Sequence, residues 1–434
     1  MNVIDPESKG AGNNNAVPDQ LASAGMPNAP SRDVPAEAYP VFFLHIPKTA
    51  GTSFLLTLEN LFGERQLRRF DLNEPGFAGE FADLLAHPLN GISCVAGHIP
   101  LHALDGHADR FRLFTILRNP IARIFSLYRF MHRASPEMKA ELGLSEHYGF
   151  AEFITSDAPG IYGQTNNGMV RMLAGLPSFV DPDDPLYRQA DAHPELVERA
   201  LHLLETIDFG IAEDMPGTHR LIQQRWNIPF TLDEMLLNTT EHDDVQEDWR
   251  NIHAVVAHNR LDITFYERAR AIYRRRMAAL AEDPAAPPDL GMLHRPELGR
   301  ETPITEIRGR QGFHTWEDRA GLAWIADGPP AARVHFIAPA SSVRIRIGIF
   351  GIGADYPFDR IRLQLHGYPL PFRIQERDGA ACVLETRFAS TVPGMNTLGI
   401  VVPEFIRVRE IDPTSPDRRR LGIAVTKIAF LGLT

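Results

Sequence analysis

Apolar positions along this chain change their period twice, and the changes divide it. Residues 1–39 show no period, with Asn13 to Asn15 set among Gly, Ala, Pro and Ser, as expected of a disordered leader. From 40 to 282 short apolar runs alternate with longer stretches whose apolar residues recur at helical spacing. That alternation predicts an α/β domain, a parallel sheet with helices on both faces. Strands are expected at Val41, within Ser93 to Pro100, over Leu113 to Leu117 and over Ile207 to Glu213, and helices over Phe54 to Leu61, Pro194 to Glu205 and Met215 to Trp226. Residues 283–305 turn to Pro, Gly, Ala and charge, a linker composition. Beyond it the runs Ser342 to Phe350, Arg360 to Leu365, Thr397 to Val402 and Gly422 to Phe430 alternate with a period of two between Gly and Pro turns. This predicts a C-terminal all-β sandwich over 306–434.

Val41 to Ser53, VFFLHIPKTAGTS, is the richest stretch. An apolar strand stops at a proline and delivers Lys48, Gly51 and the hydroxyls of Thr49, Thr52 and Ser53 into one turn before a helix. Free N–H groups and the dipole at a helix N-terminus favour negative charge, so this P-loop-like arrangement is expected to hold a phosphate or a similar anion. Lys48 adds a mobile cation, Gly51 permits close approach, and the hydroxyls are donors. The order differs from the Walker pattern, because the lysine precedes the glycine and no earlier glycine opens the loop.

A second strand, turn and helix follows at Arg112 to Tyr128, RLFTILRNPIARIFSLY. Asn119 is placed to cap, Pro120 suits the first helical position, and Arg123 and Ser126 share a helix face near Arg118. Between the two motifs, SCVAGHIP ends a short strand in Gly97-His98. Ligands of parallel sheets bind at the carboxyl ends of strands, where all three motifs lie.

HIPKTAGTS resembles the 5′-phosphosulfate loop of sulfotransferases that use 3′-phosphoadenosine 5′-phosphosulfate (PAPS), in particular the carbohydrate group related to heparan sulfate 2-O-sulfotransferase. The resemblance implies that Lys48, Thr49, Ala50, Gly51, Thr52 and Ser53 hold the 5′-phosphate and sulfonate, and that Lys48 also stabilises the leaving oxygen. It implies that Arg118 and Ser126 bind the 3′-phosphate, while Arg123 either joins them or pairs with a local carboxylate. His98 matches the histidine that deprotonates the acceptor hydroxyl. Its local competitors are His102 and His107, and His45 is expected to be a wall residue of the strand. Imidazole titrates near neutral pH and suits proton removal as the new bond forms. No metal is implied, since sulfonate carries less charge than a phosphoryl group. The resemblance extends to NGMVRMLAG, with Asn167 and Arg171, and to a closing helix with Leu261, Asp262 and Tyr266, where Asp262 is expected to cap or pair and Tyr266 to pack.

Bulk composition narrows the alternatives. With 434 residues, 44% of them apolar and 23% charged, the chain has the make-up of a soluble globular protein with room for two cores. A net charge of −11 without a dominant basic tract argues against nucleic acid as the main partner. Two distant cysteines, Cys94 and Cys382, exclude a disulfide scaffold. No segment reaches the ~20 apolar residues of a membrane span, and a signal peptide is not evident. A cytoplasmic bacterial enzyme is therefore expected, unlike the Golgi-anchored animal relatives that the resemblance brings in. The expected acceptor is a saccharide or glycoconjugate hydroxyl. In the β-sandwich, Trp316 and Trp324 are candidates to stack on sugars and Arg418 to Arg420 to meet an anionic glycan, although core packing and a solvated turn explain them as well. The rival functions are a P-loop nucleotide kinase or NTPase, and an inactive glycan-binding adaptor.

Overall fold

The computed structural model describes residues 39–70, 76–232, 249–282, 290–314, 321–327, 331–415 and 419–433. The expected leader (but for Tyr39), the start of the expected linker, Trp316 and Arg418 lie outside the described residues.

Five strands, β1 (Val41–Leu44), β2 (Leu67–Phe70), β3 (Cys94–Gly97), β4 (Arg112–Leu117) and β5 (Asp208–Ile211), form a sheet in the order β2-β3-β1-β4-β5. Every pairing is parallel, with Val41 opposite both Cys94 and Arg112. β1 and β3 are buried along their whole length and β4 nearly so. Their unbroken apolar runs follow from this, because a parallel strand is covered by helices on both faces. The fold class is thus the α/β one that the alternation predicts.

Helices α1 (Gly51–Phe62), α2 (Pro120–His132), α3 (Gly168–Leu173), α4 (Met215–Arg225) and α5 (Arg260–Glu282) position the site. Asn119 caps α2 by accepting from the N–H groups of Ile121 and Ala122, with Pro120 just inside, as its sequence predicts. α3 and α5 cap each other. Asn167 Oδ1 accepts from the N–H groups of Leu261 and Asp262, and the Asp262 carboxylate accepts from those of Met169 and Val170. Asp262 therefore caps, as expected. Tyr266 packs in the core and donates its hydroxyl to Glu213 at 2.6 Å. The closing helix runs on well past Tyr266, to Glu282.

The C-terminal region is a five-stranded and a nine-stranded antiparallel sheet sharing one apolar core that includes Val334, Ile345, Ile347, Leu398 and Ile428. Its long strands, Ser342–Gly351 and Arg420–Leu431, coincide with two of the period-two runs. Glu301–Pro303, inside the stretch whose composition reads as linker, pairs with Arg420–Leu431. Three residues are too short for a period to declare itself. Trp324 is buried within a small cluster with Leu421 and Ala424 rather than displayed for stacking. Arg420 donates to Asp327 at 2.5 Å.

The two regions meet at the C-terminal half of α1. Gly309 donates its N–H to the Leu61 carbonyl at 3.1 Å, Asn60 donates to the Phe313 carbonyl at 2.9 Å, and Arg310 donates to the Glu59 carbonyl at 3.2 Å. Glu59 is buried and paired with Arg69. Burial draws the Arg310 guanidinium down to about 10 and raises Glu64 to about 7, each opposed by the other's charge.

Candidate active site

A cleft of about 1070 Å³ opens at the carboxyl ends of β1, β3 and β4. Between β1 and α1 the chain turns with Lys48 and Ala50 both at φ 68°. Left-handed backbone at a non-glycine residue is uncommon and concentrates at functional sites. The turn brings Lys48, Ala50, Gly51, Thr52 and Ser53 to the cleft wall. Among the described residues no side chain caps α1, and the residues of its first turn line the cleft, so the positive end of the helix lies at the cleft. Gly51 is needed for space: a Cβ there would lie 1.9 Å from the His45 ring.

Thr49 is a correction to the expected donor set. It is fully buried, its hydroxyl donates to the Ile46 carbonyl at 2.9 Å, and it does not line the cleft. The hydroxyl closes the loop on itself, a use that spacing alone does not separate from ligand binding.

The Lys48 amine lies 4.3 Å from the centre of the Phe130 ring. Burial lowers its proton affinity, and the nearby Arg118 and Arg133 lower it further, to about 8. Arg118 donates to the Lys48 carbonyl at 3.1 Å, so the two cations are neighbours on one wall. Ser126 and Arg123 also line the cleft. The Arg123 guanidinium is wholly buried, donates to the Gln164 carbonyl at 2.7 Å and stands 3.7 Å from Asp262. Of its two readings, the structure shows the pairing with a local carboxylate.

His98 enters from the end of β3. Its Nδ1 lies 2.7 Å from the His45 carbonyl oxygen. A carbonyl only accepts, so Nδ1 carries the proton and the lone pair of the neutral ring is at Nε2. The His45 ring packs beside it, with centroids 4.2 Å apart, and stacks on Phe43. Burial, then the charge of His98, then that of Lys48 hold the His45 imidazole well below its usual range, so it stays neutral and acts as wall. His102 and His107 do not line the cleft. Neither does Asn167, which is spent on Asp191 and on the α5 cap. Arg171 reaches the cleft edge, with its donors given to the carbonyls of Asn166, Phe179 and Tyr187.

Sequence reasoning missed Phe130 and Arg133. Phe130 follows Ser126 by four residues on one face of α2 and lines the cleft, and Arg133, the residue just past α2, acts through its charge on Lys48. Gln164 and Tyr187 also line the cleft, from segments with no pattern pointing to it, and Glu213 lines it from the end of the expected strand over Ile207 to Glu213.

The arrangement offers a cationic turn, a helix N-terminus and a basic imidazole around one cavity, equipment for moving an anionic group to an acceptor that loses a proton. The chain is similar to a sulfotransferase from Alicyclobacillus acidocaldarius at 16% identity, over 56% of this chain and 99% of that one, with a TM-score of 0.32. It is also similar to a family GH115 4-O-methyl-α-glucuronidase described as specific for decorated arabinogalactans, at 11% identity over 72% of this chain and 40% of that one, with a TM-score of 0.20. Scores this low carry no argument about this chain. No curated protein matches it. Residues 34–267, more than half of its length and the whole of the parallel sheet, match the Sulfotransferase family, and the chain belongs to that family.

Proposed function

We propose that this sulfotransferase uses PAPS and transfers its sulfuryl group to a hydroxyl of a saccharide or glycoconjugate, as in the heparan sulfate 2-O-sulfotransferase group that its loop resembles. The observation that carries this reading is the convergence of Lys48, His98, Arg118 and Ser126 on one cleft. The residues present fit such a cofactor. Lys48 is an amine whose charge is destabilised by burial and by two guanidinium groups, and an anion would relieve it. The uncapped end of α1 and the space kept open at Gly51 suit a phosphate against the backbone.

Lys48 and the Ala50 to Ser53 turn would hold the phosphosulfate end, and Arg118 with Ser126 the 3′-phosphate. Bound there, PAPS supplies the sulfuryl group. His98 Nε2 takes the acceptor proton, while the Nδ1–H bond to the His45 carbonyl keeps the ring in the tautomer that can do so. Lys48 balances the charge that grows on the departing oxygen, as a donor worth ~3 to 4 kcal/mol when well placed. Residues 40–282 form the transferase domain and 306–434 an accessory β-sandwich in this reading. It belongs in a bacterial cytoplasm, and among the described residues no helix is long and apolar enough to cross a membrane.

The test is sulfate transfer to polysaccharide and glycolipid extracts with wild type and His98→Ala, alongside calorimetry with adenosine 3′,5′-bisphosphate. Transfer is expected to vanish in the variant while nucleotide affinity stays within threefold. Retained turnover would reject His98 as the base. Thermal stabilisation by ATP but not by the bisphosphate would favour the kinase alternative, and tight bisphosphate binding without transfer to any extract would favour the inactive adaptor.

A further inference from the structure

At the opposite end of the parallel sheet two cavities adjoin. One, of about 670 Å³, is lined by residues at the amino ends of strands, including Val41, Ser93 and Arg112, and by Arg110 and Trp226. The other, of about 350 Å³, is lined by Arg65, His294 and Arg295 among others. Phe62, Gly291 and Arg308 line both, so together they make one groove along the seam between the two regions.

The polar lining of this groove is unbalanced. Among the described residues no carboxylate lines the larger cavity. Glu306 lines the smaller one, and it is engaged by Arg65 at 2.7 Å. Arg112 is matched by Asp208 at 3.1 Å and by the Arg225 carbonyl at 2.7 Å, and its guanidinium lies 5.7 Å from the Trp226 ring centre. Arg110 is held by the carbonyls of Leu85 and His87, and no carboxylate among the described residues pairs with it. Arg308 is half-buried and has neither a hydrogen bond nor an ion pair among the described residues. Burial pushes its guanidinium down from the ordinary range. His294 is half-buried beside it, its Nε2 without a partner among the described residues, and is held neutral by burial and by the charges of Arg308 and Arg300.

A guanidinium withdrawn from water without a counter-charge costs stability unless something else completes it. Oxyanions are the natural complement, because the planar fork of arginine bonds two of their oxygens at once. We propose that this groove binds a ligand carrying two or more oxyanionic groups, with Arg308 as its central contact. Sulfated or uronic sugar chains and nucleotide phosphates share that chemistry. The site lies at the other end of the sheet from the cleft and does not depend on what the cleft transfers.

Calorimetry on the full chain tests it with four probes at equal ionic strength: a sulfated tetrasaccharide of neutral sugars, its desulfated counterpart, adenosine 3′,5′-bisphosphate and sodium sulfate. At least one of the two multiply charged probes is expected to bind with an affinity that Arg308→Gln lowers tenfold or more and Lys48→Ala leaves within twofold. Whichever probe shows that pattern names the source. The desulfated chain should not bind, and sodium sulfate should bind at least a hundredfold more weakly. Equal binding of sodium sulfate, or loss in Lys48→Ala but not in Arg308→Gln, would overturn the proposal. Should Arg308→Gln not fold, phenylglyoxal labelling of the wild-type chain replaces it, read by mass spectrometry of the Arg308 peptide. Arg308 is expected to react when free and to be protected fivefold or more by the binding probe. An Arg308 that the probe fails to protect, or that is already inert without it, would reject the site.

Discussion

The two ends of one parallel sheet carry cations in different ways. At the carboxyl end, Lys48, Arg118 and Ser126 sit on two strand-turn-helix units close in sequence, and each unit is recognisable by itself. At the amino end, Arg112 begins β4, Trp226 follows α4, and Arg308 comes from the start of the β region. The first set is local chemistry repeated, and the second exists only because two regions dock. A short motif can therefore announce a site at a strand's carboxyl end, where the turn into the next helix supplies both backbone and side chains.

The sharpest way to break this contrast is at His98. His98→Ala is expected to lower kcat about 10² to 10⁴-fold, the range for a positioned general base, with nucleotide affinity unchanged by calorimetry. A similar loss from His102→Ala would undo the claim that position at the end of β3 selects the base. Next, Asp262→Ala should cost about 3 to 5 kcal/mol in denaturant unfolding, because it strands buried Arg123 and uncaps α3. A loss below about 1 kcal/mol would mean that the framework behind the carboxyl end does not depend on that pair.

Lys48→Ala is expected to cost roughly 10² to 10³ in kcat, as for one electrostatic donor. The effect should exceed that on KM, measured by steady-state kinetics over a range of cofactor. The smallest effect is on pH dependence. The free Lys48 amine titrates near 8, and a bound anion raises that value by favouring the charged form. Binding then takes up a proton above pH 8, so bisphosphate affinity should be flat below it and fall by up to about tenfold per unit above it. Lys48→Arg should flatten the curve. A wild-type affinity constant from pH 7 to pH 10 would place the nucleotide elsewhere.

Several elements were legible from pattern alone. The order of apolar runs predicted β1, β3, β4 and β5, and helices α1 and α4 begin within a few residues of the expected positions, whereas α5 was expected from the resemblance. Asn119 with Pro120 marked the start of α2 through capping chemistry that operates over three residues. Thr49 shows where such reasoning stops. A threonine in an anion loop has the same sequence whether its hydroxyl faces a ligand or the Ile46 carbonyl, and only the path of the turn decides. Arg171 is similar, since its donors go largely to backbone carbonyls brought in from other segments, and Arg123 gives a donor to the Gln164 carbonyl and stands beside Asp262.

By itself the sequence determined where strands, turns and helices fall, and which turn carries the cation, the glycine and the hydroxyls. These follow from side-chain period, backbone preference and capping, which act over a few neighbouring residues. Tertiary structure alone decided that His98 donates to the His45 carbonyl, that Asp262 answers Arg123, and that Arg308 of the β region overhangs the amino end of the sheet. Such pairings join residues up to hundreds of positions apart, and their partners are selected by packing and by the cost of leaving a buried charge or donor unmatched, which no local pattern records.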